Sequence, residues 1–351
     1  MSINGIVDLR SDTVTHPTER MREAMYKAEV GDDVLGEDPT VRKLEEMAAE
    51  RMGKEAGLFV VSGTMGNLVS LLAQCGRGEE VILGDRSHTF LYECGSPSAL
   101  GGISLMPVPN LPDGTMDLGA LEAAVRPEDV HFPRTRLISL ENTHNRCCGA
   151  AVSPDYFRKV RELADRYGLK VHLDGARIFN ASVALGVDVR EFTRYVDSVS
   201  FCLSKGLCAP VGSVVCGTRE FIDEARRLRK ALGGGMRQAG VLAAAGIVAL
   251  EEMVERLAED HRRARMLAEG IAEIPGYTVD PARVRTNMVY FDLVDRTHED
   301  RLRLLARLRK RGVLIGVYPD FGFRAVTHRW IDDADVEKAL DALAEAVREG
   351  R

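Results

Sequence analysis

The sequence predicts an α/β protein with one large domain on a mostly parallel sheet and a smaller α+β domain after it. Two observations carry this. Between residue 41 and about 240, short apolar runs alternate with segments of helical periodicity, the rhythm of strand and helix in turn. From Val241 the texture changes to a long Ala-, Glu- and Arg-rich helical stretch with a few further strand-like runs behind it. A length of 351 residues allows two or three domains at about 100–200 residues each. With no internal repeat, low-complexity tract or Pro/Ser linker, the change of rhythm sets the expected boundaries: an arm at 1–20, a large domain at 21–250 and a small one at 251–351.

In chain order, Val41, Leu44 and Ala48 recur at helical spacing after Thr40, read as an N-cap. LFVV (58–61) is a buried strand stopped by SGTMGN (62–67), with a helix from Met65 to Cys75. VILG (81–84), ISLMPV (103–108), RLISLE (136–141), KVHLD (170–174), SVSFC (198–202) and SVVC (213–216) are further strands, separated mainly by helical patterns such as 154–168. Strands this apolar are covered on both faces, and in such sheets ligands collect beyond the carboxyl ends. In the C-terminal part, NMVYFDL (287–293), VLIGVY (313–318) and FRAV (323–326) read as strands and 299–311 as a helix. A last helix places Val336, Leu340, Leu343 and Val347 on one stripe.

Composition removes several classes of function. Basic and acidic residues number 47 and 53, a net charge of -6, so no basic surface points to nucleic acid. No stretch approaches about 18 uninterrupted apolar residues, so no membrane span is expected. The N-terminus is charged by residue 8, so no signal peptide is expected either and the expected compartment is the cytoplasm. Seven cysteines without C-x-x-C spacing predict reduced, mostly buried thiols. No H-x-x-H or H-E-x-x-H grouping suggests a metal.

The chemistry concentrates just past the strand ends. HLDGAR (172–177) and SKG (204–206) each follow a buried strand. A lysine there needs a partner or a lowered pKa, and a neutral lysine forms a Schiff base with a carbonyl, which makes Lys205 a candidate covalent anchor. If the carbonyl is that of pyridoxal phosphate, Asp174 suits the carboxylate that the ring nitrogen requires. On this pair alone, a helix-capping Asp174 and a Lys205 extended into solvent fit equally well. Ser62, Gly63 and Thr64, between a strand and a helix, offer backbone N–H groups to a phosphate, and Arg237 in GGGMRQ (233–238) could reach one as well. His88 in DRSHTF (85–90) and His144 in ENTHN (141–145) stand at two further strand ends, where an imidazole can stack on a ring or act as acid or base.

DLRSDTVTHPT (8–18), SGTMGN, DRSHTF, ENTHN, HLDGARIFNA (172–181), SKGLCAPVGS (204–213) and GGGMRQAG (233–240) together resemble the low-specificity L-threonine aldolases, fold-type-I pyridoxal phosphate enzymes of the β-eliminating lyase group. The resemblance covers nearly the whole chain and is strongest over 8–240, while RCCGAAVSPD (146–155) departs from the family pattern near His144. It implies a fold-type-I transferase-like architecture in which Lys205 binds the cofactor and Asp174 pairs with the ring nitrogen. Gly63 and Thr64 then hold the phosphate and His88 stacks on the ring. Ser11, Arg177 and Arg324 bind the substrate carboxylate, and Arg237 lies near the phosphate across a subunit interface. The implied reaction cleaves L-threonine or L-allo-threonine to glycine and acetaldehyde, with His88 or His144 as the base, in a homotetramer built as a dimer of dimers. β-Elimination from a hydroxy- or thio-amino acid is the alternative on the same scaffold, and a catalytically idle binding module is a third reading.

Overall fold

The computed structural model describes residues 5–294, 297–318 and 320–349. Among them the strands, in chain order, are β1 (Val7–Asp8), β2 (Ala56–Val60), β3 (Glu80–Gly84), β4 (Ser104–Val108), β5 (Thr135–Glu141), β6 (Lys170–Asp174), β7 (Ser198–Cys202), β8 (Ser213–Gly217), β9 (Tyr277–Val279), β10 (Met288–Leu293), β11 (Val313–Leu314), β12 (Gly316–Tyr318) and β13 (Gly322–Val326). The large sheet has the order β2-β8-β7-β6-β5-β3-β4. Strands β4, β3, β5, β6 and β7 pair in parallel, and β8 lies antiparallel to both its neighbours, β7 and β2. Nearly every residue of β6, β7 and β8 is buried, which requires helices on both faces and explains why these strands read as unbroken apolar runs.

The helix Pro39–Met52 buries Val41, Leu44, Ala48 and Met52, as the spacing predicts. Its N-cap is Asp38 rather than Thr40. The Asp38 carboxylate accepts from the amides of Thr40 and Val41, Pro39 occupies the first helical position, and the Thr40 hydroxyl is turned to the Glu29 carbonyl. The next helix begins at Gly63, two residues before the expected Met65, because Ser62 caps it by accepting from the Met65 amide. A long apolar helix, Gly240–Glu252, packs on the helices Glu19–Tyr26 and Pro39–Met52. A Cβ on its Gly246 would stand 2.9 Å from both Leu203 and Leu44, so a glycine sets that close approach.

The C-terminal part forms a second core. Its antiparallel sheet runs β12-β13-β10-β9, and the helix Leu257–Ala272 packs both on it and on the last helix, Asp333–Arg348. Val336, Leu343 and Val347 are buried on the expected stripe and Leu340 is half-buried. VLIGVY divides into two strands: β11 pairs in parallel with β1 from the N-terminal arm, and β12 joins the antiparallel sheet. Val7 and Leu9 thereby enter the second core. β9 is too short to show a period and was not apparent in the sequence. All seven cysteines are free, and five of them are buried.

Candidate active site

Two antiparallel steps, β7 to β8 and β8 to β2, return β2 to the direction of the parallel strands. β2, β3, β5, β6 and β7 therefore all end at one edge of the sheet. At or just past those ends lie Ser62–Thr64, His88, Thr143–Asn145, Asp174 and Lys205, residues spread over more than 140 positions of sequence. A cavity of about 380 Å³ opens there, lined by Ser62, Gly63, Thr64, His88, Asp174, Arg177 and Lys205 together with Asn67, Glu93 and Asn145. The topology thus assembles most of the residues that the motifs single out.

Asp174, the last residue of β6, is held by two donors: the Ala176 amide at 3.0 Å and the Asn67 side-chain amide at 2.9 Å. Lys205 is half-buried in the bend after β7, its carbonyl accepting from the Thr15 hydroxyl, while its ammonium has no hydrogen bond or ion pair among the described residues. Gly63 opens its helix against the sheet, where a Cβ would meet Cys202 Sγ at 2.9 Å. That contact lets the first-turn N–H groups, which lack intrahelical acceptors, lie at the cavity wall. The Ser62 hydroxyl accepts from the Met65 amide in its cap and keeps its own proton to donate. A carboxylate at one wall, a helix N-terminus at another, an unpaired lysine and an imidazole form a donor set that fits pyridoxal phosphate: ring nitrogen, phosphate, carbonyl and ring face.

His88 is fixed at two points. Its backbone amide donates to Glu141 and its Nδ1 lies 2.9 Å from Glu93 Oε1. Burial works to lower its pKa, but the Glu93 hydrogen bond and the nearby carboxylate of Asp174 outweigh that and hold the imidazole above its ordinary value. His88, Glu93 and Asp174 bring one donor atom each within 4.8 Å of one another, a grouping in which Asp174 joins two residues of a remote segment.

Arg177 lines the cavity but does not offer its fork to it. Nε and Nη2 donate to buried Asp12 at 2.7 and 2.6 Å, leaving Nη1 as the nitrogen without a hydrogen-bond partner among the described residues. Burial alone would raise the Asp12 pKa, yet the charge and hydrogen bonds of Arg177 drive it far below the usual carboxylate range. Four expected site residues lie outside this cavity in the single chain. Ser11 caps the turn Asp12–Val14, next to Thr13, which does line the cavity. Arg324 on β13 is 6% exposed and donates to Asn145 Oδ1 and the Arg10 carbonyl, with its guanidinium over the Tyr318 ring. His144 is 1% exposed, with neither ring nitrogen hydrogen-bonded among the described residues, in a small separate recess beside Gly114, Val152 and Tyr156. The Arg237 side chain is 58% exposed and pairs with Asp32.

Asn67, Glu93, Asp12 and Asn145 had no role in the sequence reading. Asn67 stands one helical turn beyond Gly63 inside SGTMGN, and Asp12 lies inside RSDTVT, so both motifs held the residues without revealing what they touch. The contacts cross from one segment to another, over 165 positions for Asp12 and Arg177.

Residues 8–294 match the model of the beta-eliminating lyase family. The chain is 55% identical over 340 residues to a probable low-specificity L-threonine aldolase 2 of Arabidopsis thaliana, covering 96% of each protein. It is 48% identical over 323 residues to the low specificity L-threonine aldolase of Escherichia coli strain K12, covering 92% of this chain and 94% of that one. The solved structure of the Leishmania major threonine aldolase superposes with a TM-score of 0.81 over 98% of this chain and 99% of that one. At 18% identity, that likeness speaks to the fold.

Proposed function

The chain belongs to the beta-eliminating lyase family, and we propose that it cleaves L-threonine and L-allo-threonine to glycine and acetaldehyde with pyridoxal phosphate as cofactor. The observation that carries this reading is the convergence of Lys205, Asp174, His88 and the helix start at Gly63 on one cavity. Pyridoxal phosphate, when bound, supplies a carbonyl for the substrate amine and an electron sink for charge that develops at Cα.

The chain's own residues supply the rest. Lys205 Nζ is the amine that holds the cofactor between turnovers. Asp174, anchored by Ala176 and Asn67, would pair its carboxylate with the ring nitrogen. The N–H groups of Gly63 and Thr64, with Ser62, would hold the phosphate, at the positive end of the helix dipole. Arg177 Nη1 is directed to the substrate carboxylate, with Ser11 and Arg324 supporting it through the adjacent Thr13 and Asn145, and this fixes which bond at Cα stands ready to break. His88 Nε2, which has no hydrogen-bond partner among the described residues, takes the proton of the β-hydroxyl as the Cα–Cβ bond breaks and the aldehyde leaves. Since His144 lies outside the cavity, His88 is the base in this account.

A homotetramer is part of the proposal. Exposed Tyr26 and Leu35 lie on either side of Asp32 in the chain, Asp32 holds the exposed Arg237, and a second copy covering this surface would bring Arg237 to a neighbour's phosphate. No helix among the described residues is long and apolar enough to cross a membrane, which is compatible with action on a small amino acid in the cytoplasm. Residues 21–250 and 251–351 are the proposed large and small domains. Product analysis tests the reaction: L-threonine should give acetaldehyde and glycine in equal amounts, whereas a 2-oxo acid with ammonia would assign β-elimination instead.

A further inference from the structure

Glu93 has the features of a functional group rather than of a packing residue. Its side chain is fully buried, and Oε2 has no hydrogen-bond partner among the described residues. A buried carboxylate with an unmade hydrogen bond is a costly choice where an apolar side chain would fill the same space. The other oxygen, Oε1, faces His88 Nδ1 at 2.9 Å and accepts from Asn67 Nδ2 at 2.8 Å.

Asn67 fixes the geometry of that contact. Its Nδ2 also donates to Asp174 Oδ2, while its Oδ1 accepts from the Ser200 hydroxyl at 2.7 Å and lies 3.2 Å from His172 Nε2. With both ends of the amide engaged, the NH2 group is held between the two carboxylates, and Glu93 cannot turn from His88 without breaking the chain of contacts. An ionised carboxylate only accepts, so the proton of the neutral ring resides on Nδ1 and the lone pair on Nε2.

We propose that Glu93 is the positioning residue of the cleavage reaction, holding the His88 ring with Nδ1–H turned to its own carboxylate so that Nε2 meets the substrate hydroxyl. This rests on the reading of His88 as the proton acceptor. The charged groups that face the imidazole are Glu93 from its own segment, Asp174 from the end of β6, Lys205 from the bend after β7 and Glu141 from β5 through the backbone amide. Burial raises the Glu93 carboxyl above its ordinary range, and the hydrogen bond that opposes this is the one that lifts His88, so the two titrate as a pair.

The test compares the parent holoenzyme with Glu93→Gln, Glu93→Asp and His88→Phe. Glu93→Gln should lower kcat for L-threonine about 10- to 100-fold with KM changed by less than about threefold, and should move the acidic limb of the kcat/KM profile about one unit to lower pH. The pH at which diethyl pyrocarbonate acylates His88, followed by peptide mass spectrometry, should move down with it. Glu93→Asp should recover part of both. A His88 acylation profile unmoved in Glu93→Gln, or in Glu93→Asp should the amide fail to fold, overturns the proposal whatever happens to kcat. An acidic limb that survives in His88→Phe overturns instead the reading of His88 as the proton acceptor, so the two failures are told apart.

Discussion

Replacing Asp12 by alanine removes the carboxylate that takes both Nε and Nη2 of Arg177 and leaves a guanidinium, itself only 8% exposed, without its partner. The two contacts are short and charge-assisted, each worth about 1.5–3 kcal/mol. Breaking a buried pair by removing one member costs about 3–5 kcal/mol, because the remaining charge stays desolvated. Asp12→Ala should therefore lower unfolding stability by that amount, read from urea transitions at fixed protein and cofactor concentration. It should also lower kcat/KM for L-threonine about 10- to 100-fold, since Arg177 Nη1 loses the brace that aims it into the cavity. The pH dependence has a definite sign. The folded pKa of Asp12 lies below its ordinary 3.8, so the stabilisation is fully present above about pH 4 and is lost only as pH falls further. The difference between parent and variant should accordingly be flat from pH 8 to 5. The double variant Asp12→Ala/Arg177→Met, with no charge left unpaired, should be more stable than the sum of the single losses predicts, although inactive. Strict additivity, or an Asp12→Ala protein within about 1 kcal/mol of the parent, would refute the bracing role.

Three further outcomes follow from the same geometry. Lys205→Ala should fold, retain some cofactor through the Asp174 and Gly63 contacts, and lose turnover; activity within tenfold of the parent would remove Lys205 from the mechanism. Fully buried His172 has its pKa lowered by desolvation to about 4, so the unfolded chain binds its proton first as pH drops. Stability should fall by about 3 kcal/mol between pH 6.5 and 4 on its account, and a His172→Gln variant that keeps the full slope in urea titrations would contradict this. Arg324→Ala frees Asn145 and should weaken carboxylate-bearing substrates about 10- to 100-fold more than an amino alcohol, with Arg324→Lys intermediate because it keeps the charge without the fork; equal losses for both substrates would assign Arg324 to packing alone.

The parallel strands were legible because each is short, apolar and bounded by polar loops, and a sheet buried on both faces leaves that signature in one segment at a time. Lys205, Asp174, His88 and Gly63 stood out for a related reason: Asp174 ends such a strand and the other three lie within four residues past one. Side-chain partnership was not. Arg177 in HLDGAR looks like a free guanidinium until Asp12, 165 positions earlier, is folded against it. His144 stands at a strand end just as His88 does, yet its ring turns into a separate recess beside Tyr156. The expected cap at Thr40 failed for a smaller reason, since Asp38 followed by proline outcompetes a threonine two residues on. VLIGVY reads as one apolar run, but its halves serve different sheets because β1, remote in sequence, claims the first.

Lys205, in the cavity at the strand ends, is the residue on which the proposed chemistry depends most directly. Borohydride reduction of the holoprotein, followed by proteolysis and peptide mass spectrometry, reads the attachment point of the cofactor without relying on turnover. The phosphopyridoxyl group should be found on Lys205 and, in Lys205→Ala, on no peptide. Its recovery on another lysine, or on none in the parent protein, would contradict the account.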